Sequence, residues 1–195
     1  MRLTSSPRAF IATLIAVLMM SGARVPVCAQ SQDSVRAERS RLNAYVAAVA
    51  GPGPLAGRLV AAGVDHALDQ PDPWSSKVDG YGQRLASRYG QLLADVTVEH
   101  LLAAALDRST RYQRCDCTGF GARFGHAMVG AVTDVTPDGR TPAVPRIAGA
   151  YAGALAWVVM VPGNENGLDA LANGTAAIAF SSLGNLFREF IRIGR

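Results

Sequence analysis

The chain has a single lysine, Lys77, so arginine supplies nearly all of its basic charge. We read this as codon bias toward arginine, without functional meaning. Aromatic residues make up only 7% of the sequence. A nucleic-acid binder combines a basic stripe with interleaved aromatics; none occurs here, which excludes nucleic acid as a partner. Cysteines number three. Cys28 falls within the export signal described below, which leaves Cys115 and Cys117, and two cysteines cannot build a disulfide framework. With one residue between them, a bridge closes a very small, strained loop. A metal centre needs three or four ligands, and no spacing of these cysteines with the histidines supplies them, so neither metal nor cofactor is expected. Repeats of about 20 to 50 residues, a Ser-His-Asp order, an H-E-x-x-H run and a phosphate loop are all missing. Gly119-Phe120-Gly121 follows a cysteine loop instead of a strand, so it is no nucleotide fingerprint.

What is present begins with an export signal. Met1-Arg2 and Arg8 precede an uncharged apolar stretch, Ala9 to Met20, and Val27-Cys28-Ala29 fits a small-x-small cleavage rule. The apolar run is short of the roughly 20 residues that span a bilayer. Ser21-Gly22-Ala23 offers a second cut, so the mature chain starts at Arg24 or Gln30. Lipidation of Cys28 is disfavoured, because the residue before it is Val27 where a small one is needed. The formal net charge is +4, but three of the 19 basic residues and none of the 15 acidic ones lie in 1–29. The mature part is therefore close to neutral, and its charge names no partner.

The mature chain reads as all-α: a compact bundle of five or six small-residue-rich helices after a cleaved signal peptide. We expect a signal peptide over 1–29, an N-terminal helix and Gly/Pro linker over 30–54, and a helical domain over 55–195. Helices are expected at Ser34–Ala50, Leu55–Leu68, Tyr81–Asp107, Gly119–Val135, Arg146–Met160 and Leu168–Ile191. Gly51-Pro52-Gly53-Pro54, Pro71-Asp72-Pro73, Thr136-Pro137-Asp138-Gly139 and Asn164-Glu165-Asn166-Gly167 punctuate them. A short period-two run near Val129–Val135 is the one strand-like signal. On the long helix, Arg84, Arg88, Gln91, Asp95 and Glu99 share one face; Arg84, Arg88, Asp95 and Glu99 could form a functional polar groove, but their alternation favours a solvated stripe of ion pairs. The opposite face, with Gly82, Ala86, Gly90, Leu93, Ala94, Thr97, Leu101 and Ala104, is the expected buried side. The last helix is expected to dock on the long one through such small faces. Ile147–Gly163 carries no charge, and we read it as a buried central helix rather than a span. His100 and His126 read as hydrogen-bonded core residues, and His66 as exposed.

Several motifs fall in a fixed order: Trp74, Gly80-Tyr81-Gly82-x-Arg84, Arg111-Tyr112, Arg123, Asp138-Gly139-Arg140 and Asn185-x-x-x-Glu189-Phe190. The set resembles a large group of uncharacterised exported bacterial proteins. These carry a W-x-x-G-x-x-G-Y-G-x-R-like segment, an acidic-Pro-Arg-Tyr motif and a C-terminal helix with a Glu-Phe pair. The resemblance covers about residues 55–192. It departs at Ser109-Thr110, where the group has an acidic-Pro pair, and at Cys115-x-Cys117, which lies outside the pattern. It implies fold and export but brings no catalytic residues.

On their chemistry, Gly80 and Gly82 suit a tight entry to the long helix, and Trp74 and Tyr81 anchor that corner. Arg84, Arg111, Arg123 and Glu189 are candidates for pairing across helices, with Tyr112 beside them. The expected role is a non-enzymatic, exported envelope protein in the periplasm, resting against or partly in a membrane or an envelope protein. The alternatives are a thiol or redox protein using Cys115 and Cys117, and a binder of an unspecified small molecule.

Overall fold

The computed structural model describes residues 32–136, 139–161 and 167–191. The expected signal peptide, both cleavage points and the Asn164–Asn166 breaker lie outside the described residues. Internal contacts divide the chain between Glu38 and Arg39, and the larger unit is Arg39–Arg195. The described residues form six helices and one hairpin: α1 (Gln32–Ala50), α2 (Pro52–Ala67), α3 (Val78–Ala105), α4 (Phe120–Val129), β1 (Thr133–Thr136), β2 (Gly139–Pro142), α5 (Val144–Met160) and α6 (Gly167–Phe190). The protein is an all-α bundle with a minor two-stranded element.

The Gly/Pro stretch after α1 is a kink more than a linker. Gly51 N–H still bonds Ala47 O at 3.1 Å, and Leu55 N–H bonds Gly51 O at 3.1 Å. Pro52 sits in the first turn of α2, where a missing N–H costs nothing. α1 also belongs to the core: Val49 packs with Leu92 and Val96 of α3, flanked by Tyr45 and Ala48.

α3 and α5 form the most extensive interface. Gly149 and Gly153 of α5 press on the backbone of α3. A methyl group at Gly149 would come within 2.7 Å of Asp95 O, and at Gly153 within 2.9 Å of Gln91 O. α6 packs on α5 and α4, with Gly174 against the ring of Tyr151. The expected docking of α6 on the long helix is therefore corrected. Gly90 of α3 instead meets the thioether end of Met160 on α5.

The expected polarity of α3 fails in part: Gly90, Leu93, Ala94 and Thr97 of the expected inner face are half-buried, but the polar stripe also turns inward. Arg84, Ser87 and Gln91 are buried, and Asp95 and Glu99 are half-buried, whereas Gly82, Ala86, Leu101 and Ala104 are exposed. Periodicity separates two faces but does not say which one turns inward. For Gln91 and Asp95 the inward partner is the glycine face of α5, whereas Arg84 turns into the loop before α3 and Leu92 and Val96 pack on α1. The interior is accordingly polar and small: among the described residues, eight of the twelve buried apolar ones are alanines, and Ser182, Asn185 and Glu189 join the buried polar set. Large apolar side chains lie outside instead, among them Phe120 and Phe180, each 71% exposed, and Phe187, 66% exposed.

The helix expected over Gly119–Val135 stops early. α4 ends at Gly130, which nests against the ring of Tyr112, and β1 then pairs antiparallel with β2, Thr133 opposite Pro142 and Thr136 opposite Gly139. α5 buries Gly149, Ala150, Gly153 and Ala154 and leaves Leu155 and Val159 outside, so it is buried on one side only.

Candidate functional site

The Trp-Gly-Tyr-Gly-Arg segment closes on itself. The Arg84 guanidinium, with no exposed surface, donates to Gln70 O (2.6 Å), Ser75 O (2.7 Å) and Trp74 O (3.3 Å), to Asp69 Oδ1 (3.1 Å), and to His66 Nδ1 (3.2 Å). His66 is thus a half-buried acceptor and not the exposed residue expected from sequence. A side chain at Gly80 would overlap Ser75 O and come within 2.9 Å of Arg84 Nη1, which explains the glycine. Tyr81 stacks edge-on with His66, centroids 5.8 Å apart, and its hydroxyl bonds Leu59 O at 3.4 Å. Trp74 contributes its carbonyl. Five acceptors around one guanidinium satisfy every donor direction, so this cluster locks the α2–α3 connection and leaves no valence for a ligand.

Glu189 is the centre of a second cluster. It is 1% exposed. Tyr112 Oη donates to Oε2 at 3.0 Å, Cys115 N–H reaches both oxygens at 3.3 and 3.4 Å, and Arg123 Nε donates to Oε1 at 3.2 Å. Arg123 Nη2 also donates to the Glu189 carbonyl. Of the three arginines expected as candidates, Arg123 is the partner. Arg84 is engaged elsewhere, and the Arg111 side chain is exposed. Burial pushes the Glu189 carboxyl up, but the bonds from Tyr112, Arg123 and the Cys115 amide outweigh it and hold the group below its usual range. Tyr112 is pushed up to about 12, first by burial and then by its bond to the carboxylate. Asn185, one turn before Glu189, donates to Ala127 O at 3.3 Å. The motif residues Tyr112, Arg123, Asn185 and Glu189 thus tie α6 to α4 and to the preceding loop.

Cys115 and Cys117 are joined by a disulfide, with Cα atoms 5.1 Å apart. The loop bends so that Cys117 N–H donates to Cys115 Sγ at 3.2 Å. The bridge lies beside the Glu189 cluster through the Cys115 amide.

A third feature was hidden by the inward turn of the polar stripe of α3. A cleft of about 670 Å³ opens between α1, α3, α5, α6 and the Thr110–Tyr112 segment. It is lined by the charged residues Asp95, Glu99, Arg111, Arg146 and Arg188 and by several alanines, among them Ala150 and Ala177. Arg146 is fully engaged: its Nε lies 3.6 Å from Glu99 Oε1, Nη2 lies 3.5 Å from Asp134 Oδ1, and Nη1 donates to Gly130 O at 2.6 Å. Asp95 has no hydrogen bond or ion pair from any described residue. Burial first, and then the nearby Glu99 charge, push its carboxyl up to about 6 against the pull of Arg58 and His100. Glu99 is also raised, chiefly by burial, with Arg146 opposing. His100 donates from Nδ1 to Val96 O at 2.9 Å, which leaves Nε2 a buried acceptor without a partner among the described residues. His126, in contrast, is half-buried between Gln113 O at 2.9 Å and Arg140 Nη2 at 2.7 Å. The cleft's residues were legible singly, as charges on a helix face. Only the inward turn of that face makes them a site.

No group of three or more metal-ligating side chains occurs among the described residues. Comparison with family models, curated proteins and solved structures gives no match, so the functional reading rests on the chain's own geometry.

Proposed function

We propose that this chain is an exported, non-enzymatic envelope protein whose helical bundle rests against an anionic lipid surface. The observation that carries the reading is an exposed aromatic knob at the α4–α6 end. Phe120 stacks with Phe124 at 6.0 Å between centroids and with Phe190 at 5.1 Å, and Phe187 stands 66% exposed one turn before Phe190. The Arg123 guanidinium sits 4.9 Å over the Phe190 ring. Arg114 reaches the end of the same helix through Ile191 O at 3.2 Å, and Arg192 and Arg195 follow in the sequence. An apolar knob flanked by the Arg123 and Arg114 guanidiniums matches the depth profile of a leaflet, with rings at the acyl boundary and cations at the phosphates. Each basic residue near such a surface contributes about 1 kcal/mol. Apolar residues exposed along Arg36–Ala67, the one described stretch long and apolar enough to cross a membrane, support the same reading. Export rests on the charged, apolar and small-residue order of positions 1–29.

Vesicle sedimentation tests the reading. The protein is expected to pellet with vesicles containing anionic phospholipid and to release with salt. The Phe120→Ser/Phe187→Ser double variant is expected to stay in the supernatant while keeping its helical circular dichroism. Equal recovery of both proteins with vesicles, or wild-type protein wholly soluble, would overturn it.

A further inference from the structure

We infer that the cleft between α3, α5 and α6 binds a small zwitterion, a molecule with a primary ammonium and an oxyanion a few bonds apart. The test does not depend on membrane docking, because binding is read with soluble ligands and no vesicles.

The cleft holds charge that is not matched by direct pairing. Glu99 is neutralised by Arg146, and Arg146 is itself fixed by Asp134 and the Gly130 carbonyl. Asp95, one turn earlier on the same face, has no such partner among the described residues. It is held against the glycine face of α5, where a methyl at Gly149 would come within 2.8 Å of its Oδ1. Arg58 of α2 and Asp95 act on each other electrostatically, yet no ion pair joins them. A half-buried carboxylate without a donor is costly to keep ionised, so the cleft gains when a cation enters. Arg111 and Arg188 also line the cleft and have no carboxylate within ion-pair distance among the described residues, although Arg188 is near enough to Glu99 to favour its ionised form. Unpaired guanidiniums offer bidentate donors to a carboxylate or phosphate. A ligand bearing only one charge leaves the other half unmatched, and a zwitterion answers both. Alanines among the lining residues, such as Ala150 and Ala177, leave room for a short apolar linker and favour no large side chain. The volume, about 670 Å³, lies within the range of small-molecule pockets.

Two sources share this chemistry: a free amino acid and the headgroup of an ethanolamine phospholipid. Titration calorimetry on the folded protein, with glycine and with O-phosphorylethanolamine as probes, tests the inference and separates the sources. At least one probe is expected to bind saturably in the millimolar range or below. Ethanolamine alone and phosphate alone are expected to compete at least tenfold more weakly. Asp95→Asn, which keeps the shape of the side chain, is expected to weaken binding tenfold or more, as is Arg188→Gln at the exposed mouth. Binding of glycine only points to the free amino acid, and of phosphorylethanolamine only to the headgroup; both support the site. No saturable binding of either probe by wild-type protein, or binding unchanged in both variants, overturns it. If Asp95→Asn fails to fold, Arg188→Gln and Arg111→Gln on the cleft rim decide alone.

Discussion

Replacing Glu189 by glutamine removes one charge and almost no volume, which makes it the sharpest test of the α4–α6 junction. In the native protein three donor groups converge on this carboxylate: the Tyr112 hydroxyl, the Cys115 amide and the Arg123 guanidinium. A glutamine must point its own NH₂ at one of them, setting donor against donor, and leaves Arg123 without its counter-charge. Breaking a buried pair from one side costs roughly 3–5 kcal/mol. For a chain of this size, about 1 kcal/mol moves the melting midpoint by roughly 2–4 °C, so a shift on the order of 10 °C is expected. Urea unfolding followed by circular dichroism at about 0.05 M and 0.5 M salt should show the same loss, because an enclosed pair is little screened. Arg188→Gln, next in sequence but exposed, should change stability by no more than about 0.5 kcal/mol. The acid limb gives a second readout. Glu189 sits below its ordinary value in the folded state, so its contribution is complete above the unfolded carboxyl range and fades as pH falls through the folded value. The glutamine variant should lack that limb. A loss under about 1 kcal/mol, or one that disappears in salt, would show that Glu189 is a surface residue and that the argument about its cluster is wrong.

Asp95→Asn should act in the opposite sense. Its carboxyl is raised to about 6, so it weakens the fold while ionised, and the native protein gains stability as pH drops from about 6 toward 4. The asparagine variant is expected to be more stable at pH 8 by about 1–3 kcal/mol and to lose that advantage by pH 4 in urea titrations; equal midpoints at every pH would contradict the burial. Gly80→Ala should cost at least about 1–3 kcal/mol, since its methyl overlaps the Ser75 carbonyl, whereas Gly90→Ala should cost under about 1 kcal/mol, because the Met160 end it meets is flexible. Thermal unfolding of the pair checks both, and a reversed order would refute the glycine geometry. Arg84→Lys should destabilise nearly as much as Arg84→Gln, because an ammonium reaches at most three of five acceptors; rescue by lysine would mean that charge alone matters there.

The helices were legible because glycine, proline and charge spacing punctuate them, and α5 was found within two residues of its start. The hairpin was only half legible: the period-two run near Val129–Val135 competes with a helical pattern until Gly130 ends α4 against Tyr112. The face of α3 was misread for a physical reason. Sequence patterning assumes that the apolar side turns inward, but here glycines on α5 bring two backbones together, and the space beside them admits polar side chains better than leucine. The Glu189 cluster was legible in kind, since a carboxylate near a helix C-terminus opposes the helix dipole and needs a cation. Its choice of Arg123 over Arg84 and Arg111 was not, because Arg84 is consumed by carbonyls of a loop whose course no local pattern encodes. The Cys115 amide as a further donor carries no side-chain signature at all.

An interior built from alanine and polar groups also sets how the fold responds to temperature. Unfolding raises the heat capacity in proportion to apolar surface newly wetted, by about 0.45 cal/mol/K per Å², and lowers it by about 0.26 for polar surface. Here the newly wetted surface includes Arg84, Gln91, Asn185 and Glu189, while many large apolar side chains are wet already. The heat-capacity increment should therefore fall below the usual value of about 12–15 cal/mol/K per residue. The stability curve is then broader, with its maximum at a lower temperature, and its cold arm lies further below freezing than in a leucine-cored bundle of the same melting midpoint.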